Sequence, residues 1–132
     1  MNTSFHFHSK PRRIYPEAAL QRAVVQFLTL AATPRMVFFA IKNEGRRSEA
    51  LGLEFKRQGM KPGAADLEII VPGKMPLFLE LKAKGGKQSP EQVAFQADVV
   101  LAGCRYEVAD SIDAATRILA DYGAIRMAAR AA

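Results

Sequence analysis

A short apolar segment of the chain, Leu77–Lys82, carries a carboxylate between two of its leucines and a lysine directly after the last one. This alternation predicts a β-strand, because successive side chains of a strand point to opposite faces of the sheet. Leu79 and Leu81 would then face a core, whereas Glu80 and Lys82 would share the other face, roughly 7 Å apart. Burying a charge without a partner is costly. The segment therefore predicts a strand whose charged face needs a partner, and a divalent metal ion would provide one.

A second carboxylate, Asp66, stands at the start of the preceding predicted strand, Asp66–Val71. The loop before it, Gly59–Gly63, has a glycine at each end, so its backbone can come close to a ligand or a metal ion. A metal ion between Asp66 and Glu80 would account for both carboxylates. Lys82 would stand beside the ion, where it could orient or activate a water molecule.

The two strands are predicted to pair as a hairpin, because Pro72-Gly73-Lys74 separates Asp66–Val71 from Pro76–Lys82. Glu68 has the same strand parity as Asp66 and is an alternative metal ligand. Asp66 is preferred because it adjoins the glycine-flanked loop. Carboxylate oxygens suit Mg²⁺ or Mn²⁺, and the chain has no cluster of cysteines and histidines that would indicate zinc.

Helical periodicity and turn residues predict the rest of an α/β domain, in the order α-β-α-β-β-α-β-α, with a mixed central sheet flanked by helices. We expect a mobile basic arm at 1–14, a single domain at 15–123 and a C-terminal tail at 124–132. The elements besides the hairpin are a helix from Pro16 to about Ala32, a strand Met36–Ile41, a helical piece Arg46–Gln58, a helix that Ser89 caps and Gly103 ends, a strand Arg105–Ala109 and a helix Ile112–Tyr122 that Asp110 caps.

Size and composition narrow the class of protein. The chain has 132 residues, of which 49% are hydrophobic and 24% charged, values that fit one globular domain. No apolar run reaches the length of a membrane span, and the first residues do not resemble a signal peptide. The single cysteine, Cys104, excludes an internal disulfide. These features predict a cytoplasmic protein.

The positive charge is concentrated in the first half of the chain. Residues 1–61 contain eleven Lys and Arg against four Glu, whereas residues 62–132 contain eight Lys and Arg against nine acids. A basic surface beside an acidic metal site suits a nucleic acid that is both bound and attacked, although a solvated basic face is the alternative. The basic side chains that we expect to contact nucleic acid are Arg46, Arg47, Lys61, Lys84 and Lys87.

Five short motifs occur in order along the chain: Asn43-Glu44-Gly45, Gly59…Gly63…Asp66, Glu80-Leu81-Lys82, Gly86…Ser89-Pro90-Glu91-Gln92 and Gly103. Together they resemble the VRR-NUC family of the PD-(D/E)XK nuclease superfamily. The resemblance covers most of 16–122 and implies a restriction-endonuclease-like core. One position departs from the superfamily pattern, because Ala65 precedes Asp66 where a proline is expected. That difference affects the backbone and removes no metal ligand.

The resemblance implies a role for each residue of the site. Asp66 and Glu80 would hold Mg²⁺ or Mn²⁺, and Lys82 would be the catalytic lysine. Gln92 would close the active site from its helix, and Glu17 would add an acid and a further metal ligand from the first helix. Gln92 could also complete a capping box with Ser89, and Glu17 could serve only the helix dipole.

The resemblance also implies an activity, namely metal-dependent, structure-selective DNA endonuclease activity that hydrolyses phosphodiester bonds. Small members of the family resemble Holliday-junction resolvases, so we expect branched DNA as the substrate and a homodimer as the active form. No membrane and no small-molecule cofactor are expected. One alternative is a less selective DNA nuclease or nickase. Another is a binding module that keeps the fold but does not cleave. RNA is not favoured, because no exposed aromatic platform is evident in the sequence.

Overall fold

The computed structural model describes residues 16–41 and 48–126. Within these ranges, helices and strands follow the predicted order, and each of the four strands agrees with its predicted bounds to within one residue. The expected arm, the Asn43-Glu44-Gly45 motif and residues 127–132 lie outside the described residues. The elements are α1 (Pro16–Ala31), β1 (Val37–Ala40), α2 (Glu49–Arg57), β2 (Leu67–Ile70), β3 (Leu77–Leu81), α3 (Pro90–Leu101), β4 (Arg105–Ala109) and α4 (Ile112–Tyr122).

The four strands form one mixed sheet in the order β1-β2-β3-β4. β1 and β3 both pair antiparallel with β2, and β3 pairs parallel with β4. The predicted hairpin of β2 and β3 is therefore present, and its register sets Glu68 opposite Phe78. The parallel pairing of β3 and β4 requires a crossover, which α3 supplies.

One face of the sheet is apolar and carries the main core. The alternating leucines of β3, together with Leu67 and Ile69 of β2, are almost completely buried on this face. They pack with buried side chains of α1 and α4, among them Val24, Leu28 and Leu119. The strand period thus separates the leucines of β3 from Glu80, as the sequence predicts.

The other face of the sheet carries a smaller cluster built around α3. Phe95 of α3 packs edge-on against Phe78, with ring centroids 5.3 Å apart, and Tyr106 of β4 lies beside it. Ala64 and Ala65, from the segment before β2, are buried in the same cluster. This packing fixes α3 over the face of the sheet from which Glu80 projects.

Two details differ from the sequence-based expectations. Ser111, and not Asp110, caps α4, because its Oγ accepts a hydrogen bond from Ala114 N at 3.0 Å. Ala124 and Ile125, which were expected in a tail, are buried in the main core. Thr33 N donates to the carbonyl of Ala124 at 3.0 Å, so the chain after α4 is tied to the segment after α1. The folded domain therefore extends past Gly123.

Within the described ranges, no helix is long and apolar enough to cross a membrane.

Candidate active site

Asp66 and Glu80 meet at the end of the β2–β3 hairpin, on the face covered by α3. The Oδ2 atom of Asp66 accepts a hydrogen bond of 2.7 Å from the backbone N–H of Leu81. This bond ties the start of β2 to the residue next to Glu80. Glu80 itself is only 2% exposed. The structure therefore brings together the two carboxylates that the sequence singles out.

The surroundings of this pair favour its protonated form in the absence of a cation. Burial is the main cause that raises the pKa of Glu80 to about 8, and the negative charge of Asp66 adds to it. Burial also raises the pKa of Asp66. Two carboxylates that share a poorly hydrated site cannot both ionise easily. The pair therefore gains from a cation that would neutralise it.

The two oxygens of Glu80 have different environments. Oε1 accepts a hydrogen bond of 2.8 Å from Gln92 Nε2 and lies 3.9 Å from Lys82 Nζ. Oε2 is buried and has no hydrogen-bond partner among the described residues. A buried acceptor without a partner is uncommon and needs an explanation. A bound metal ion would satisfy Oε2, so the residues present fit the ion that the resemblance implies.

Gln92 combines both roles considered for it. Its Oε1 accepts from Ser89 N at 2.8 Å, and Ser89 Oγ accepts from Gln92 N at 3.2 Å, which completes the capping box of α3. Its Nε2 remains free to donate to Glu80. The first turn of α3 is thereby connected directly to the carboxylate pair.

The glycine-flanked loop packs against the same turn of α3. Gly63 has φ +78°, and a Cβ atom there would collide with the backbone of Glu91 and lie 2.7 Å from Gln92 N. Only a glycine allows this approach without displacement of the helix. Gly59 also has a positive φ, of +95°, but a Cβ there would meet nothing within 4 Å. Gly63 therefore positions α3, whereas Gly59 only shapes the loop.

Glu17 and Lys82 lie at the border of the site. The Lys82 side chain is 11% exposed, and the positive charge of Lys82 lowers the pKa values of both Asp66 and Glu80. Glu17 is exposed, its Oε1 accepts from Ala83 N at 3.4 Å, and its negative charge raises both pKa values. Among residues 16–41 and 48–126, no three His, Cys, Asp or Glu residues are grouped so that they could hold a metal ion. Glu17 is thus near the pair without joining it as a third direct ligand.

The basic residues differ in how close they come to the site. Lys84 and Lys87 are exposed on the loop between β3 and α3, next to Lys82 in the chain. Lys61 is exposed in the glycine-flanked loop, and its Nζ lies 3.9 Å from a carboxylate oxygen of Asp98. Arg46 and Arg47 lie outside the described residues.

Two residues near the site were not identified from the sequence. Gln88 Nε2 donates to Tyr106 Oη at 3.1 Å and to Gln96 Oε1 at 2.9 Å, so it holds the end of the lysine-rich loop against β4 and α3. Burial raises the pKa of Tyr106 to about 12, and the charges of Glu80 and Asp66 contribute to the rise. Tyr106 could not be identified from the sequence, because its position near the site depends on the pairing of β4 with β3, which sets it opposite Phe78.

Two solved structures share this architecture. A structure described as "VRR_NUC domain protein" has a TM-score of 0.66 at 20% identity, covering 86% of this chain and 98% of its own. Another, described as "VRR_NUC domain", has a TM-score of 0.57 at 19% identity, covering 81% of this chain and 97% of its own. No family model and no curated protein sequence matches the chain. The expected fold is confirmed: the chain has the α/β fold of VRR_NUC domains, with a mixed four-stranded sheet flanked by helices.

Proposed function

We propose that this protein is a Mg²⁺- or Mn²⁺-dependent endonuclease that hydrolyses phosphodiester bonds of DNA. The observation that carries the proposal is the buried Glu80 carboxylate, whose Oε2 lacks a hydrogen-bond partner among the described residues and which lies beside Asp66. In the metal-free protein, a proton shared with Asp66 can satisfy such an atom, whereas the ionised pair needs a bound cation. Two further observations support a catalytic role for the pair. Lys82 lies on the same side of the sheet, close to Glu80. The fold is shared with VRR_NUC domains.

The residues at the site fit a hard divalent cation. Mg²⁺ commonly keeps several waters and binds proteins through one or two carboxylates together with substrate phosphates, so Asp66 and Glu80 suffice as its protein ligands. Glu17, which is close to the pair but not grouped with it, would act through a water molecule. When bound, the ion would neutralise phosphate charge and lower the pKa of a water molecule.

The protein groups around Asp66 and Glu80 have different roles in the proposed reaction. The N–H of Leu81 holds Asp66, and Gln92 Nε2 occupies Glu80 Oε1, which leaves Oε2 for the ion. Lys82 carries a positive charge close to the carboxylates, where it can orient the attacking water and stabilise negative charge that develops on the phosphate. Each group is held by a strand or a helix end, which gives the precise placement that catalysis needs.

Branched DNA, such as a four-way junction, is the substrate that we propose, with a homodimer as the active form. Two matched cuts in a junction are geometrically natural for a two-fold dimer with two sites. The first experiment compares cleavage of a four-way junction, a flap, a linear duplex and a single strand in Mg²⁺ and in Mn²⁺. Metal-dependent paired cuts in the junction are expected, and cutting of all four substrates alike would instead identify a less selective nuclease.

Asp66→Asn and Lys82→Ala are the variants that locate the chemistry. Both are expected to abolish cleavage while the circular-dichroism spectrum and the binding of DNA persist. Asp113→Asn, the same change at an exposed residue of α4, is the matched control and is expected to cleave normally. Binding without metal-dependent cleavage of any substrate by the unaltered protein would contradict the proposal and favour a non-catalytic module.

The exposed lysines of the loop before α3 are proposed to contact the DNA backbone. Lys84→Ala combined with Lys87→Ala should weaken binding and lower the slope of log affinity against log salt by up to about 1.8, because each lost phosphate contact contributes about 0.9. Cleavage at saturating DNA should persist. An unchanged salt slope, measured by fluorescence anisotropy at several salt concentrations, would remove this loop from the DNA surface.

A further inference from the structure

An open groove of about 460 Å³ lies beside the carboxylate pair, on the same face of the sheet. We call it the Glu68 groove. Its floor is formed by strand residues, its walls by residues of α2, α3 and the glycine-flanked loop. The lining residues on which the argument depends are Phe39, Phe55, Glu68, Phe78, Phe95 and Lys61.

We propose that the Glu68 groove receives one unstacked nucleobase of the DNA, with guanine as the preferred base, next to the phosphate that is cleaved. This inference rests on the proposed nuclease function and names a specificity site for it. The groove has the three features that such a site requires, namely aromatic surfaces, a fixed polar group and a position close to the catalytic residues.

The aromatic surfaces come from four phenylalanines. Phe39 of β1 is 44% exposed, whereas its neighbour Phe38 packs against the main core. Phe55, Phe78 and Phe95 contribute further aromatic surface to the groove. Every base can stack on such surfaces, whatever its hydrogen-bonding groups. Phe39, Phe55, Phe78 and Phe95 belong to β1, α2, β3 and α3 respectively, and the fold gathers them around one groove.

Glu68 supplies the polar group that would select the base. It is half-buried in the groove, and its side chain makes no hydrogen bond or ion pair with the other described residues. A carboxylate can only accept hydrogen bonds, and it accepts two parallel ones best. Guanine presents an N1–H and an amino group side by side, which matches this geometry. Thymine presents one N–H between two carbonyl oxygens and would repel the carboxylate.

The register of the sheet places the groove next to the catalytic pair. Glu68 pairs with Phe78, and Glu80 follows two residues further along β3, a distance of about 7 Å. A base in the groove would therefore belong to a nucleotide adjoining the phosphate at Asp66 and Glu80. Lys61, which lines the groove and is exposed, can contact the backbone there in exchange for its solvent-exposed ion pair with Asp98.

Filling the groove requires a base that is already unpaired or easily unstacked. Withdrawal of a base from an intact duplex costs free energy, and the cost is smallest at single-stranded or mismatched positions. The Glu68 groove would thus favour branch points over regular duplex. It offers a physical reason for selectivity towards branched DNA that needs no recognition of the overall junction shape.

The test measures binding of short single-stranded thymidine oligonucleotides whose central base is guanine, hypoxanthine or thymine, with the unaltered protein in EDTA. Hypoxanthine is the matched probe, because it lacks only the amino group of guanine. We expect guanine to bind at least about five-fold more tightly than hypoxanthine or thymine, as one lost hydrogen bond to a charged group predicts. Equal binding of the three oligonucleotides would overturn the proposal.

Two variants separate the roles of the groove residues. Glu68→Gln should remove the preference for guanine over hypoxanthine and thymine. Phe39→Ala should weaken binding of the guanine and hypoxanthine strands by similar factors. Glu107→Gln, the same change on the opposite face of the sheet, should keep the preference. Persistence of the preference in Glu68→Gln would also overturn the proposal.

A second measurement keeps this inference distinct from the proposed activity. Titration with dGMP, followed by NMR, should shift the amide signals of Phe39 and Glu68, and dIMP should shift them less at equal concentration. Such shifts in a protein that cleaves no DNA would contradict the nuclease proposal alone. Cleavage without any response of these amides to dGMP, and without a base preference, would contradict the groove proposal alone.

Discussion

The two faces of the central sheet differ in how their buried side chains are satisfied, although the same strands form both faces. On one face, Leu77, Leu79 and Leu81 pack against α1 and α4 with nothing but apolar contacts to satisfy. On the other face, Glu80 is equally buried but has one oxygen without a hydrogen-bond partner in the described part of the chain. Packing alone satisfies the first face, whereas the second has an acceptor that the proposed metal ion would satisfy. We infer that the first face maintains the fold and that the second serves the proposed function.

The strongest test of this comparison is Glu80→Gln. The change keeps the shape of the side chain and an acceptor for Gln92, but it removes the charge that a metal ion requires. We expect cleavage to fall by at least about 100-fold, since loss of a direct ligand should cost no less than loss of its supporting partners. The melting temperature of the metal-free protein at pH 7 should hardly change, because Glu80 is protonated there, with a pKa of about 8. A large loss of stability would show that Glu80 mainly stabilises the fold.

The opposite result is expected for Leu79→Ala on the apolar face. Leu79 is completely buried in the main core. Its truncation leaves a cavity and should lower the free energy of unfolding by about 2–5 kcal/mol. The protein that remains folded should keep its cleavage rate per molecule and its dependence on the metal ion. Urea denaturation together with active-site titration would measure both quantities. A fall of the rate in the folded fraction would show that the two faces are coupled.

A third prediction concerns pH. Because the pKa of Glu80 is raised from 4.5 to about 8, the folded metal-free protein binds more protons than the unfolded chain between these values. Its stability should be greatest near the acidic end of this window and decrease as the pH rises towards 8, by up to about 1.4 kcal/mol per pH unit. Mg²⁺ should reduce this decrease, since it favours the ionised pair.

Glu80→Gln provides the control for the pH experiment. Without the titrating group, the slope of stability against pH in the metal-free protein should become flatter over the same window. Thermal unfolding in EDTA at intervals of pH, compared between the two proteins, measures it directly. Equal slopes would show that other groups cause the dependence and that the raised pKa has no consequence for folding.

The same contrast explains how much could be predicted from the sequence. The strands, their order along the chain and the proximity of Asp66 to Glu80 depend on local signals, namely alternation in β3 and the turn at Pro72-Gly73-Lys74. The capping box of α3 is equally local. Tyr106 and Phe39 are different, because their positions depend on the pairing of β4 with β3 and of β1 with β2. Such long-range pairing has no signature in a short stretch of sequence.

The caps and the end of the domain show the same limit on a smaller scale. Asp110 and Ser111 are both good caps, and the start of α4 at Ile112 decides between them, because the cap is the residue directly before the helix. Ala124 and Ile125 follow the glycine that ends α4 and resemble the start of a tail. They are buried because the segment after α1 pairs with them, a contact between residues far apart in the chain.

The smallest predicted effect tests how the functional face is held in place. Gly63→Ala and Gly59→Ala both put a side chain at a positive φ, which costs each protein roughly 1–3 kcal/mol of stability. Only at Gly63 does the new Cβ collide with the first turn of α3, where Gln92 donates to Glu80. We therefore expect a cleavage rate about ten-fold lower for Gly63→Ala than for Gly59→Ala, as is typical when a supporting partner of a metal ligand is displaced.

The pair of glycine variants is informative because the backbone strain is common to both and cancels in the comparison. What remains is the effect of moving α3 relative to the carboxylates. Metal affinity, measured by the Mg²⁺ concentration that gives half of the maximal rate, should weaken in Gly63→Ala and stay unchanged in Gly59→Ala. Equal rates and equal Mg²⁺ dependence in the two variants would show that α3 can move without disturbing Glu80. The functional face would then depend on the strands alone, as the apolar face does.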